Sequence, residues 1–416
     1  MKPTIEVSMI VKDGGATLAR CLKSATFADR IIVGDTGSTD DSIAIARDCG
    51  AEVISIPWEE DFSVARNRVL EHRKCDWVLV LDADEMLDPS AGERIRKAIA
   101  KPGVAAFHNF RWNYVLEAST RLSFQLARPN PMQIEESRPY PAYVPLPATR
   151  LFRGHPGVYW EGCVHETVTG RLAALKLATK FSDYIIHHFG HAEDEAVERQ
   201  RKNDLYQLLG ERKLKAQADD PQALIEMGIA ELENSRRPAV ALEYFERACR
   251  VSPTAAVSWA FAGICLVEMG RPQNALERLR RAADLGMRNA MVLQAAGDAN
   301  FHAKRYAEAS AAYAQVAALG EDSPLSEAKR GASEVYIGRA QEGIGRMRRA
   351  VASAPAFAEL YDILATGALL GGDLALAAET VETRIKMGKT TEFHRQLAAL
   401  IAAQMEQRNG AALAAV

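Results

Sequence analysis

Two aspartates, Asp82 and Asp84, directly follow the apolar run Val78–Leu81. Carboxylates at the end of a buried strand are costly unless something compensates their charge. A divalent hard cation does so, because it takes oxygen ligands from one or two carboxylates and completes its shell with phosphate and water. The Asp82-Ala83-Asp84 spacing therefore predicts a site for a divalent cation and a phosphate-bearing substrate, with a solvated acidic turn as the alternative.

A third aspartate, Asp35, ends the apolar run Arg30–Gly34 and opens the sequence Asp-Thr-Gly-Ser-Thr-Asp. The glycine permits a tight turn, and the polar residues after it can cap a helix. These signals leave the acid itself unexplained, and a carboxylate at a strand end can accept a base N–H such as the imide of uracil. Arg66, on the helical segment before the Asp82 strand, could pair with the nucleotide or a phosphate. We therefore treat Asp35 and Arg66 as candidate nucleotide-binding residues.

Short apolar runs alternate with amphipathic segments and must position these residues. The predicted strands are Ile5–Val11, Arg30–Gly34, Glu52–Ile56, Trp77–Leu81 and Val104–Phe110. The predicted helices are Leu18–Ser24, Asp41–Cys49, Phe62–His72 and Ser90–Ala100. This alternation predicts an α/β domain whose parallel sheet has helices on both faces. Ligands of such sheets bind beyond the carboxyl ends of the strands, where the three aspartates lie.

Residues 118–148 interrupt the pattern with six prolines. Prolines disfavour helices and central strands, so we expect a long loop that covers the donor and shapes the acceptor site. Regular structure is expected to resume at Thr149–Arg153 and at Tyr184–His188.

The last 200 residues carry three series of small residues with a 34-residue period. The series are Gly263, Gly297, Gly331 and Ala365; Ala275, Ala309, Gly343 and Ala377; and Gly270, Lys304, Gly338 and Gly372. This period is typical of tetratricopeptide repeats, in which small residues let two helices pack closely. Gly228, Ala241, Phe245, Ala248 and Pro253 resemble an earlier copy. We therefore expect an α/β domain at residues 1–200 and an all-α repeat solenoid at 201–416.

Bulk properties exclude several classes of protein. The net charge of −3 offers no general attraction for nucleic acid or an anionic membrane. The N-terminus lacks the apolar core of a secretory signal, and no stretch approaches the roughly 18 apolar residues that a membrane span needs. Six widely spaced cysteines without a C-x-x-C pair favour reduced thiols. These features predict a cytoplasmic protein.

Four sequence blocks occur in the order typical of one enzyme family. They are Met9–Asp13, Ile31–Asp40, Phe62–Asn67 and Leu79–Glu85. Through these blocks, residues 5–210 resemble the family 2 glycosyltransferases of GT-A fold, a Rossmann-like nucleotide-sugar-binding fold. Segments like Gly162–Glu166 and His187–Gly190 make the chain similar in particular to a subgroup with C-terminal helical repeats. That subgroup includes peptide glycosyltransferases acting on bacteriocins. Lys12-Asp13-Gly14 departs from the pattern, since relatives usually place an asparagine and an acid after the lysine.

The resemblance implies nucleotide-sugar chemistry at particular positions. It implies Asp35 on uracil, with Arg66 and Lys12 also in the nucleotide site. Asp82 would contact the ribose or a metal-bound water, and Asp84 would ligate the metal that bridges the diphosphate. The implied cofactor is Mn²⁺ or Mg²⁺, and the implied donor is a UDP-sugar.

Family 2 enzymes mostly invert the anomeric centre, and this reaction needs a general base for the acceptor's proton. Glu166 is the first candidate for the base, and Glu161 is the alternative. His165 could ligate the metal or orient Glu166, and both roles stay open. His187 and His188 follow an apolar run, so we expect one of them to point inward, as a core histidine or as a phosphate contact.

Three functions compete at this point. The first is hexosyl or N-acetylhexosaminyl transfer from a UDP-sugar to a peptide, protein or glycan, with the repeats holding the acceptor or pairing two copies into a homodimer. The second is nucleotidyl transfer, which ranks lower because no arginine-rich phosphate loop follows the first strand. The third is a repeat scaffold with an inactive α/β domain, against which the intact acids Asp35, Asp82, Asp84 and Glu166 count.

Overall fold

The computed structural model describes residues 2–117, 121–122, 125–162, 166–193, 196–216, 218–233, 235–321, 323–388 and 390–414. The chain divides into two compact units. The first contains residues 1–116 and 130–216, and the second contains residues 117–129 and 217–416. The domain boundary expected between residues 200 and 201 falls inside the last helix of the first unit and stays a prediction. No helix among these described ranges is long and apolar enough to cross a membrane.

The strands and the helices before the repeats have the following bounds. The strands are β1 Ile5–Val11, β2 Arg30–Asp35, β3 Glu52–Ser55, β4 Trp77–Val80, β5 Glu85–Leu87, β6 Ala106–Val115, β7 Arg121–Leu122, β8 Gln125–Leu126, β9 Arg128–Pro129, β10 Ala142–Arg153 and β11 Thr179–His188. The helices are α1 Gly15–Ser24, α2 Ser42–Asp48, α3 Phe62–Glu71, α4 Ala91–Ile99, α5 Thr169–Ala174, α6 Gly190–Glu193 and α7 Ala196–Ala216. A 3₁₀ turn covers Glu135–Ser137.

The main sheet has the strand order β3-β2-β1-β4-β10-β6-β11-β5. Its first four strands are parallel, as expected: β1 lies between β2 and β4, and β2 pairs with β3. The expectation of a parallel sheet is wrong at two strands, because β10 runs antiparallel to β4 and β6, and β5 runs antiparallel to β11. Strands β6 and β11 are parallel to each other. Antiparallel neighbours do not need the helical crossover that parallel strands require, so strand alternation with helices did not predict the directions of β10 and β5.

Strand β10 contradicts the prediction that residues 118–148 form a loop without central strands. It includes Pro145 and Pro147, which pair in register with Trp112 and Phe110 of β6. Strand β4 reaches only Leu151–Arg153, so both prolines lie beyond the end of β4. A proline is tolerated in a strand where the amide hydrogen that it lacks has no partner strand to serve. Prolines therefore do not exclude a strand at positions that lie beyond the end of its neighbour.

Helices cover both faces of the parallel half. Helices α1 and α4 pack on one face through side chains such as Leu18 and Ile95, which join the core around Trp77. Helix α3 packs on the other face through Ala65 and Val69. These contacts hold the carboxyl ends of β2 and β4, and the first turns of α3, at one edge of the sheet.

The second unit contains helices α8 to α18, as the 34-residue period predicts. They are α8 Pro221–Glu233, α9 Pro238–Val251, α10 Ala256–Glu268, α11 Pro272–Asp284, α12 Ala290–His302, α13 Tyr306–Ala318, α14 Pro324–Tyr336, α15 Ala340–Ser353, α16 Ala358–Leu370, α17 Leu374–Lys386 and α18 Glu392–Ala414. A Cβ added at Gly297 would come within 2.5 Å of the Tyr313 ring, so α12 and α13 approach too closely for a larger residue. The repeat prediction is confirmed: Gly263, Gly297 and Gly331 lie at helix contacts, whereas the series that begins at Gly270 lies in the turns between helices, with positive φ.

Candidate functional site

The turn after β2 holds Asp35 in a fixed position. Its carboxylate accepts the backbone N–H groups of Gly37, at 3.2 Å, and Ser38, at 3.0 Å, and the residue is only 5% exposed. The loop after β1 joins this turn, because the Thr39 N–H and hydroxyl both donate to Asp13. Lys12 is exposed beside this joint. Each Asp35 oxygen keeps acceptor capacity beyond its turn bond, which a base N–H could use.

Asp82 lies between two arginines at the end of β4. Its Oδ1 accepts from Arg66 Nη2 and its Oδ2 accepts from Arg150 Nη2, each at 2.6 Å. Burial opposes ionisation, but the guanidinium groups of Arg150 and Arg66 hold the pKa of Asp82 well below its usual range. Asp82 is therefore an ionised anchor that holds two cations at the edge of the sheet.

Arg66 also brings the first base candidate to this point. Its Nε donates to Glu166 Oε1 at 2.5 Å, so one guanidinium joins Asp82 and Glu166. The next residue on α3, Asn67, fixes the chain that carries Glu166, because it donates to the Trp160 carbonyl at 2.9 Å and accepts the Trp160 N–H at 2.8 Å. Glu161 is exposed, and its backbone pairs with Thr167. The structure therefore brings Glu166 into the cluster with Asp82, whereas Glu161 lies at the surface.

Asp84 lies against a histidine of β11. His188 Nε2 is 3.3 Å from Asp84 Oδ2, and His188 Nδ1 is 2.8 Å from Asn113 Oδ1. The Asn113 amide nitrogen donates to two carbonyls, so its oxygen faces the ring and accepts the Nδ1 proton. The second ring nitrogen, Nε2, then faces the Asp84 carboxylate. One imidazole nitrogen and one carboxylate oxygen therefore lie close together at this point of the sheet edge.

The surroundings of Asp84 fit a divalent cation. One carboxylate and one imidazole leave several coordination positions for phosphate oxygens and water, a shell that Mn²⁺ accepts. A Cβ at position 190 would lie 2.1 Å from Asp84 Oδ2, so Gly190 keeps this space open. Within the described ranges, no three His, Cys, Asp or Glu side chains converge on a point that could hold a metal. His165 lies outside these ranges, so its role stays a prediction.

His187 of β11 points inward, as expected of one of the two histidines, and His188 is buried as well. His187 is fully buried, and its Nδ1 lies 2.8 Å from the hydroxyl of Tyr114. Desolvation lowers the pKa of His187 to about 4, so the ring is neutral near pH 7. His188 has 9% exposure and contacts Asp84. His187 is thus a core histidine, and His188 belongs to the site.

Several residues of this cluster are not among the site residues predicted from the sequence. Arg150 and Arg111, on β10 and β6, both contact the buried carboxylate of Glu85. Tyr206 of α7 makes an edge contact with Phe62, and desolvation together with the carboxylates of Glu166, Asp82 and Asp84 raises its pKa to about 12. Charged residues within an apolar strand, such as Arg150 in Thr-Arg-Leu-Phe, were a usable signal. Nothing in the local sequence of α7 singles out Tyr206.

The N-terminal part of the chain is similar to a known protein family. Residues 7–153 match the family model described as glycosyl transferase family 2. This part of the chain is a family 2 glycosyltransferase domain. The matched range includes Asp35, Arg66, Asp82, Asp84 and Arg150, and it ends before Glu166 and His188.

Curated relatives match parts of the chain. A TPR repeat-containing protein of Synechococcus elongatus is 33% identical over 202 residues, 47% of this chain and 44% of the relative. The SPbeta prophage-derived glycosyltransferase SunS of Bacillus subtilis is 33% identical over 99 residues, 23% of each chain. The chain therefore spans less than half the length of these relatives. Among solved structures, the TPR protein YrrB covers 47% of this chain and 97% of its own, with 15% identity and a TM-score of 0.38.

Proposed function

We propose that this chain transfers a hexosyl or N-acetylhexosaminyl group from a UDP-sugar to a peptide, protein or glycan acceptor, with inversion and with Mn²⁺ or Mg²⁺ as cofactor. One observation carries the proposal: Arg66 joins Asp82 to the base candidate Glu166, next to the Asp84–His188 pair. Membership of the N-terminal domain in the glycosyltransferase family supports it. The nucleotide would contact Asp35, Arg66 and Lys12.

Each of these side chains has its own role in the proposed reaction. Asp84 and His188 would hold the cation, which supplies charge stabilisation for the departing diphosphate. The acceptor hydroxyl attacks the anomeric carbon, the bond from that carbon to the diphosphate oxygen breaks, and Glu166 takes the hydroxyl proton. Before this, Glu166 must turn from Arg66 toward the acceptor. An incoming diphosphate favours that exchange, because it offers Arg66 a new anionic partner.

The repeats are the proposed acceptor-binding part. Stacked helix pairs form an extended surface that suits a peptide or another protein, and they also offer ends through which two copies could pair as a homodimer. We place the catalytic function in residues 1–200 and acceptor binding in 201–416.

The test is a calorimetric titration of the full chain with UDP, with and without Mn²⁺, for the native protein and Asp84→Ala. We expect Mn²⁺-dependent binding that Asp84→Ala weakens by at least about ten-fold, because even the outer-shell partners of metal ligands typically contribute ten- to hundred-fold to metal affinity. Asp284→Ala, at an exposed position of α11, is the matched control and should bind as the native chain does. Absence of UDP binding by the native chain under every condition would reject the proposal in favour of a scaffold.

A further inference from the structure

Glu85, the first residue of β5, is fully buried and uses both carboxylate oxygens. Its Oε1 accepts from Arg150 at 3.1 Å and from Arg111 at 3.3 Å. Its Oε2 accepts the backbone N–H of Asp82 at 2.9 Å, and the Glu85 N–H donates to the Asp82 carbonyl at 3.0 Å. Glu85 therefore fixes the main chain of Asp82 on both sides.

Arg150 fixes the side chain of the same aspartate. Its Nη2 donates to Asp82 Oδ2 at 2.6 Å and to Glu85 Oε1 at 3.1 Å, so one nitrogen joins the two carboxylates. The residue lies on β10 next to Leu151, which pairs with Leu79 of β4. Strand β10 thus places the Arg150 guanidinium beside Asp82, just beyond the end of β4.

The location of this ion pair argues against a purely stabilising role. Burying a carboxylate and a guanidinium removes both from water, and apolar residues of similar size commonly serve stability as well or better. The pair does impose a geometry, because Asp82 has its backbone held by Glu85 and its carboxylate held by Arg150. The other Asp82 oxygen holds Arg66, which in turn reaches Glu166.

We propose that Glu85 and Arg150 are positioning residues that orient Asp82, and through it Arg66, for the diphosphate of the donor. This inference rests on the proposed function, because it assumes that a nucleotide diphosphate occupies this edge of the sheet. Neither residue needs to touch the substrate. Their effect passes through Asp82, so it should vanish when Asp82 no longer offers a carboxylate.

The experiment is a double-mutant cycle read by UDP affinity in saturating Mn²⁺, with thermal unfolding measured in parallel. Arg150→Gln should weaken UDP binding about ten-fold, the loss expected for one hydrogen bond to a charged group. In the Asp82→Asn background the same substitution should change the affinity by less than about two-fold, since coupled residues are not additive. Arg150→Lys, which keeps the charge, should recover part of the affinity.

Arg94→Gln is the matched control, because Arg94 pairs with the buried Asp88 in the same unit without contacting Asp82. It should lower stability and leave UDP affinity unchanged. A folded Arg150→Gln protein with native affinity, or an equal loss in the Asp82→Asn background, would overturn the inference. If Arg150→Gln does not fold, Glu85→Gln and Arg150→Lys replace it. Native UDP affinity in the folded variant, or an equal loss in the Asp82→Asn background, then overturns the inference. A native chain that does not bind UDP would instead reject the proposed function.

Discussion

At the scale of single residues, Glu166 and Glu161 differ in their contacts, and this difference predicts which one acts. Glu166 accepts from Arg66 within the cluster, whereas Glu161 is exposed. Glu166→Gln should lower the transfer rate roughly 100- to 10,000-fold, the usual contribution of a general base, while UDP affinity changes little. Initial rates and calorimetry check this, with Glu161→Gln as the control. Unchanged transfer by Glu166→Gln would move the role to Glu161.

His187 predicts a pH dependence of stability. The pKa of its ring is about 4 in the folded protein, against an ordinary value of 6.5. Between these two pH values the unfolded chain therefore binds a proton that the folded protein does not bind. The contribution of the neutral ring to the free energy of unfolding is complete above about pH 6.5. It falls by roughly 3 kcal/mol in total as the pH decreases toward 4. His187→Phe should flatten the dependence of the free energy of unfolding over this range. His302→Phe, at an exposed position, should leave the slope unchanged, and an unaltered slope in His187→Phe would contradict the assignment.

At the scale of elements, α3 positions Glu166 through the backbone segment at Trp160. Asn67 makes two hydrogen bonds to the backbone of Trp160, six residues before Glu166. Asn67→Ala should cost about 1–3 kcal/mol of stability and lower transfer more than UDP affinity, because Glu166 loses its fixed approach to Arg66. Chemical denaturation and initial rates measure the two effects. Asn289→Ala, which removes the cap of α12, should cost stability alone. Equal losses of transfer in both variants would show that Asn67 has no specific role.

At the scale of the whole molecule, we expect substitutions in the repeats to change stability without changing UDP affinity. Gly297→Ala inserts a methyl group against Tyr313 and should destabilise the repeats by about 1–3 kcal/mol, as overpacking does. Gly345→Ala, on α15, meets only the end of Arg349 and should stabilise by up to about 1 kcal/mol. Thermal unfolding checks both, and UDP affinity should stay native in each. A loss of UDP affinity in Gly297→Ala would mean that the nucleotide site depends on repeat packing.

The sequence by itself determined the features that depend on local order. Strand β1 has the bounds expected of it, and β2 and β4 lie within one residue of theirs, because alternation of apolar runs and turns is a short-range signal. The repeats followed from the equal spacing of three series of residues, of which two lie at contacts within a helix pair and one lies in the turn between the two helices. Asp35, Asp82 and Asp84 were identified because each ends a buried strand.

Only the tertiary structure decided which distant residues meet. Arg66 and Glu166 lie 100 positions apart in the chain, and no local pattern relates them. Arg150 reaches Asp82, 68 positions earlier in the chain, because β10 returns antiparallel beside β4. Sequence-based expectations for prolines and charged residues describe their average behaviour over many protein environments. In this protein Pro145 and Pro147 lie in the part of β10 that extends beyond β4, and the arginines pair with buried carboxylates.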